Sequence, residues 1–103
     1  MLAATTEFPY RGVLEQRFDP AKDAVNRDKH GLPLIFGDRI FEDEAHLIIP
    51  TIRQEDEEQR FKVVGQVEGK LYTGVFTWRG DLPRFISVRR SNTGEERAYR
   101  TPG

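Results

Sequence analysis

The sequence predicts an α+β domain: an N-terminal helix packed on an antiparallel meander sheet of three to five strands, closed by a short C-terminal helix. Three observations carry this expectation. The stretch from Phe18 to Gly31 has full helix punctuation, the stretch from Arg60 to Arg90 alternates with a period of two, and Glu68-Gly69 and Arg79-Gly80-Asp81 fall where hairpin turns join such strands. Helices gathered on one face of an antiparallel sheet define the α+β class.

The first element is a helix over Pro20–His30. Asp19 is placed to accept hydrogen bonds from the first turn, Pro20 falls where a missing N–H costs nothing, and Gly31 supplies the left-handed residue that ends the last turn. Ala21, Ala24 and Val25 recur at helical spacing and are expected to lie on the sheet as a narrow apolar face. Lys22, Asn26, Lys29 and His30 share a neighbouring face, with Lys29 and His30 near the negative end of the helix dipole. Beside a cleft this stripe would meet an anion. The plainer alternative is two solvated lysines and a capping histidine, and the spacing alone favours it, because charged helix faces usually face water.

At 103 residues the chain has room for one domain with a single modest core. Residues 1–12 have little pattern and are expected to form a flexible extension, leaving residues 13–103 as the domain. With 37% hydrophobic and 32% charged residues the composition is that of a soluble chain, and no apolar run reaches the length of a membrane span. Zero cysteines exclude a disulfide framework, a thiolate nucleophile and the usual structural zinc sites. The opening MLAATTEF lacks a basic region and a hydrophobic run, so no secretory signal is expected, and the cytoplasm is inferred by exclusion. A net charge of −1 argues against coating nucleic acid by bulk electrostatics. The charge is unevenly placed, however. Acidic residues crowd Glu42 to Glu58, whereas Arg84, Arg89, Arg90, Arg97 and Arg100 face only Glu95 and Glu96, which allows a local basic patch on a neutral body.

Along the rest of the chain, Val13 to Phe18 is expected to add a short strand before the helix. LPLIFGDRIFED, interrupted by Pro33 and Gly37, reads as a short helical turn or a strand start. HLIIPTI is β-branched enough for a strand that Pro50 confines to an edge or a bulge, and QEDEEQ reads as a solvated loop. RFKVVGQV, LYTGVFTW and LPRFISVRR then alternate as three strands. In the last of these Ile86 and Val88 are expected on one face, with Phe85, Ser87 and Arg89 on the other. Thr93-Gly94-Glu95-Glu96 has the spacing of a capping box that opens a helix through Tyr99.

The common enzymatic signatures fail in turn: no phosphate-binding glycine loop, no G-x-S-x-G elbow and no H-E-x-x-H motif. His30 and His46 would serve RNA cleavage as an acid/base pair only if the fold joined them, which their spacing does not indicate. The arginines are better candidates. A guanidinium grips phosphate with two hydrogen bonds and stabilises charge that grows during phosphoryl transfer; the alternative is surface solubility. Arg79-Gly80-Asp81 spells an integrin-binding tripeptide, but a hairpin turn accounts for it.

Two blocks, DPAKDAVNRDKHG and VFTWRGDLPRFISVRRSNTGEERAY, with Gln59, Arg60, Phe61 and Gly65 between them, resemble the BrnT family of toxins in order and spacing. The resemblance spans roughly Phe18 to Tyr99. It implies a RelE-like fold and a metal-independent endoribonuclease that cleaves RNA and arrests translation. It also implies neutralisation by a ribbon-helix-helix antitoxin of the BrnA type, through which alone the pair would touch operator DNA. Carried over residue by residue, it points to Lys22, Lys29 and His30 in the first block, Arg60 in the middle, and Arg89, Arg90 and Tyr99 in the last. In this reading Arg60 and Arg89 bind the scissile phosphate, Lys22 and Lys29 position the backbone, and Glu58 or His30 takes the 2′-hydroxyl proton. Tyr72 and Trp78 either stack on bases or pack under a helix. The chain departs from the family at Gln16, Arg17 and Phe18 and follows it loosely from Leu32 to Gln59, which includes Glu58.

Three functions therefore stand: a ribonuclease toxin without metal or cofactor, a catalytically silent module that holds an antitoxin as co-repressor, and a protein that binds RNA without cutting it.

Overall fold

The computed structural model describes residues 17–51 and 58–102. Along them run helix α1 (Pro20–His30), a 3-10 turn (Leu34–Phe36), helix α2 (Gly37–Phe41), strands β1 (Leu47–Pro50), β2 (Phe61–Val67), β3 (Lys70–Arg79) and β4 (Leu82–Arg90), and helix α3 (Thr93–Arg100). The strands form one antiparallel sheet in the order β1-β2-β3-β4. The α+β meander expected from the sequence is therefore present. The extension expected over residues 1–12 and most of the QEDEEQ loop lie outside the described residues. Of the strand expected over Val13 to Phe18, Phe18 makes an isolated parallel bridge to Phe85.

Two tight hairpins set the register. Glu68 and Gly69 both take left-handed backbone angles, φ 49° and 81°, which matches a two-residue turn to the twist of β2 and β3. Gly80, φ 63°, opens the turn between Arg79 and its partner Leu82. Pro50 sits on β1, an edge strand, where no ladder hydrogen bond is forfeited on its outer side.

One face of the sheet carries the core. Val63, Val67, Phe76, Phe85 and Val88 pack with Leu34 of the 3-10 turn and Ile40 of α2. Phe85 and Val88 lie three residues apart yet are both fully buried. The reason is a bulge: Val75 pairs with Ser87 and Phe76 with Phe85, so Ile86 is an extra residue that reverses the alternation. This corrects the expected grouping of Phe85 with Ser87 and Arg89: Phe85 shares the core face with Val88 instead.

Helix α1 forms where expected, with the Asp19 carboxylate accepting from the Ala21 N–H at 2.9 Å and Gly31 left-handed at φ 72°. Its docking differs from expectation. Ala21 and Ala24 are exposed and Val25 is 63% exposed, so the apolar stripe does not lie on the sheet. The buried residue is Asn26. Its amide donates to the Val88 carbonyl at 2.9 Å and accepts from the Val88 N–H at 3.0 Å, while also donating to the Leu32 carbonyl. β4 is an edge strand whose outward backbone groups need partners, and one amide side chain here stands in for a neighbouring strand. Asp23 adds a second polar anchor by accepting from the Leu34 N–H at 2.7 Å.

The opposite face is covered by α3. Its capping box is one residue earlier than expected: Asn92 is the N-cap and Glu95, not Glu96, is the third helical residue that bonds back to it. That shift turns Glu95 toward the sheet.

Candidate active site

Under α3 the sheet presents, by its ladder, Ile49 and Thr51 from β1 and the residue after it, Arg60 and Lys62 at the start of β2, Thr73 and Val75 from β3, and Arg89 from β4. A cleft of about 630 Å³ opens between this surface and α3, and both Arg60 and Lys62 line it together with Glu95.

Glu95 organises the cleft. It is 4% exposed, and its two carboxylate oxygens each accept from one terminal nitrogen of Arg89 at 2.8 Å. Lys62 Nζ donates at 3.0 Å, the Thr73 hydroxyl at 2.8 Å and the Asn92 N–H at 2.9 Å. Burial alone raises a carboxyl pKa; here the Arg89 guanidinium, the Asn92 N–H, the Lys62 ammonium and the Thr73 hydroxyl outweigh it and hold Glu95 at about 2. The same pairing raises the pKa of Arg89 against its own burial. Glu95 is thus a fixed anion that orients two cations on the sheet.

Lys22, Lys29 and His30 form a second group. With Ile86 and Ser87 they line a groove of about 500 Å³ between α1 and β4. Burial, then the positive charges of Lys29 and Arg89, lower the pKa of His30 below its ordinary 6.5. The imidazole is therefore neutral at pH 7 and able to accept a proton. Arg89 is the residue common to both groups, bonded to Glu95 on one side and felt at His30 on the other.

The remaining expected site residues lie elsewhere. Glu58 pairs with Arg79. Tyr99 donates its hydroxyl to Asp43, which also accepts from the Gln66 N–H at 2.7 Å; that bond raises the Tyr99 pKa, and the phenol keeps its proton. Tyr72 and Trp78 belong to the other face of the sheet. Tyr72 packs edge-on against Phe36 with the Arg90 guanidinium over its ring, and Trp78, 39% exposed, packs against Phe76 and Phe41.

Lys62 and Glu95 were not singled out from the sequence. Asn92-x-x-Glu95 is itself a capping-box spacing, and choosing it over Thr93-x-x-Glu96 would have brought Glu95 to notice. Lys62 reads as an ordinary outward residue of an alternating strand.

A family model described as the ribonuclease toxin BrnT of type II toxin-antitoxin systems matches residues 18–95. The chain belongs to the BrnT family. The BrnT match runs from the bridge at Phe18, through α1 and the sheet, to Glu95, so both cationic groups fall inside it and Tyr99 falls outside. The family is one of ribonuclease toxins of type II toxin-antitoxin systems, which implies an antitoxin as partner and RNA as the family's substrate. No curated protein matches the chain. No helix among the described residues is long and apolar enough to cross a membrane.

Proposed function

We propose that this BrnT chain is a metal-independent endoribonuclease with a RelE-like fold, acting in the cytoplasm to stop translation. A ribbon-helix-helix antitoxin of the BrnA type neutralises it, and operator DNA is contacted only through that antitoxin. The observation that supports the catalytic reading is the position of Arg89 between a fixed anion, Glu95, and a neutral imidazole, His30.

RNA cleavage without a metal needs a base to take the 2′-hydroxyl proton, cations on the non-bridging phosphate oxygens as charge grows, and a donor to the leaving 5′-oxygen. In this scheme His30 is the base. Arg89, held in place by Glu95, meets the phosphate with Arg60 and Lys62, while Lys22 and Lys29 hold the backbone along α1. Glu58 is the weaker choice of base because its carboxylate is engaged by Arg79. The leaving 5′-oxygen takes its proton from solvent water and the proton on His30 returns to solvent, so the products are a 2′,3′-cyclic phosphate and a 5′-hydroxyl.

A second reading, the catalytically silent antitoxin-binding module, draws on one observation: both terminal nitrogens of Arg89 already bind Glu95. Induced expression in a bacterial host separates the two. The ribonuclease reading expects growth arrest and fragmented RNA from the native chain, and neither from a folded Arg60→Ala, Arg89→Ala variant. Intact RNA and normal growth with both chains would favour the silent module.

A further inference from the structure

Among the described residues, the hydroxyl of Thr51 is a buried side-chain oxygen with no hydrogen-bond partner. The backbone of Thr51 is satisfied, its N–H donating to the Arg60 carbonyl at 3.0 Å, so Thr51 and Arg60 are cross-strand neighbours on the α3 face. Both line the cleft. Leaving a buried hydroxyl unpaired is costly, and a ligand seated in the cleft would supply its partner.

The cleft walls beside Thr51 are apolar. Ile49 and Val75 line it from the sheet and Ala98 from α3, and Lys62 and Arg60 belong to the same lining. At about 630 Å³ it falls within the roughly 300–1,000 Å³ of small-ligand sites. Apolar walls, one buried hydroxyl and two cations in the same lining suit one chemical class, an unpaired nucleobase attached to its phosphate.

We propose that this cleft is a base subsite in which the Thr51 hydroxyl hydrogen-bonds the edge of a nucleobase next to the phosphate held by Arg60 and Lys62. The inference rests on the ribonuclease reading and adds a base-contacting residue to it. A hydroxyl donates and accepts, so it pairs with more than one base.

The test compares the native chain with Thr51→Val and Thr51→Ser. Thermal midpoints are recorded, with affinity for short single-stranded oligoribonucleotides carrying 2′-O-methyl groups, cleavage of unmodified RNA, and affinity for the antitoxin. Val keeps the shape and removes the hydroxyl. The expected result is an unchanged or slightly higher midpoint for Thr51→Val, with oligonucleotide affinity and kcat/KM down about three- to tenfold, restored by Thr51→Ser. A Thr51→Val chain that binds and cuts RNA like the native one overturns the subsite and leaves the ribonuclease reading standing. Loss of antitoxin affinity with unchanged RNA affinity also overturns it, assigning the cleft to the protein partner. Thr51-dependent oligonucleotide binding by a native chain that does not cleave supports the subsite and removes the catalytic reading. No binding and no cleavage by the native chain overturns both.

Discussion

Arg89 and Glu95 form a two-armed ion pair, 2.8 Å along each arm, that ties the last strand of the sheet to the first turn of the C-terminal helix. The Glu95 side chain is buried and the Arg89 side chain stays 25% exposed. Such a pair costs desolvation to form, and its parts are costly to separate. Its most evident consequence is geometric: Arg89 is fixed against Glu95, which lines the cleft, with its charge still felt at His30 of α1.

Replacing Glu95 with Gln leaves Arg89 and Lys62 facing each other without their counter-ion. Breaking a buried pair costs about 3–5 kcal/mol, and solvent access to both cations places this loss near or below the lower limit. Urea unfolding of Glu95→Gln against the native chain measures it, and a difference under about 1 kcal/mol would contradict the role given to Glu95.

Stability falls in acid for the same reason. Glu95 is held at about 2 against an ordinary 4.5, so the unfolded chain binds the extra proton between those values. The contribution is full above about 4.5, is lost as pH falls toward 2, and amounts to about 3 kcal/mol. Asp23 and Asp43, both lowered because their hydrogen bonds outweigh burial, act in the same direction. Unfolding midpoints at pH 7 and pH 3 check this, with Glu95→Gln expected to show the smaller change.

Asn26→Ala removes the amide that satisfies both the N–H and the carbonyl of Val88. The expected loss is about 2–4 kcal/mol, measured by urea unfolding, whereas Val25→Ser on the same helix changes stability by less than about 0.5 kcal/mol. The reverse order would restore the apolar docking face that the sequence suggests.

These contrasts show what the sequence carries. The strands and hairpins were legible because period-two alternation and turn residues such as Glu68-Gly69 and Gly80 are local signals. The caps of α1 were legible for the same reason. The docking of α1 was not, because Asn26 is chosen by the open edge of β4, 62 residues away. The bulge at Ile86 left no local mark, and it set Phe85 against the alternation. At the candidate site, Lys22, Lys29 and His30 were legible as one stripe, and Arg60 and Arg89 as candidate phosphate ligands. The joining of Arg89 to Lys62 through Glu95 was not, because it depends on a one-residue choice of N-cap and on sheet register.

His30 gives a pH signature. Its pKa lies below 6.5 through burial and the nearby charges of Lys29 and Arg89, so the neutral base predominates at pH 7. The acid limb of kcat/KM for RNA cleavage is expected to have its midpoint under 6.5, to move upward in Lys29→Ala, and to vanish in a residual activity of His30→Gln that is about 10²–10⁴ lower. An acid limb unchanged in His30→Gln would assign the base elsewhere.

The most direct test of the catalytic account is single-turnover cleavage of single-stranded RNA by the purified chain in excess EDTA, with the product ends analysed. The account expects cleavage that EDTA does not reduce, 2′,3′-cyclic phosphate ends, and a loss of about 10²–10³ in rate for a folded Arg60→Ala variant, the scale of removing one donor from developing charge. Intact RNA, cleavage abolished by EDTA, or an Arg60→Ala variant as fast as the native chain would contradict it.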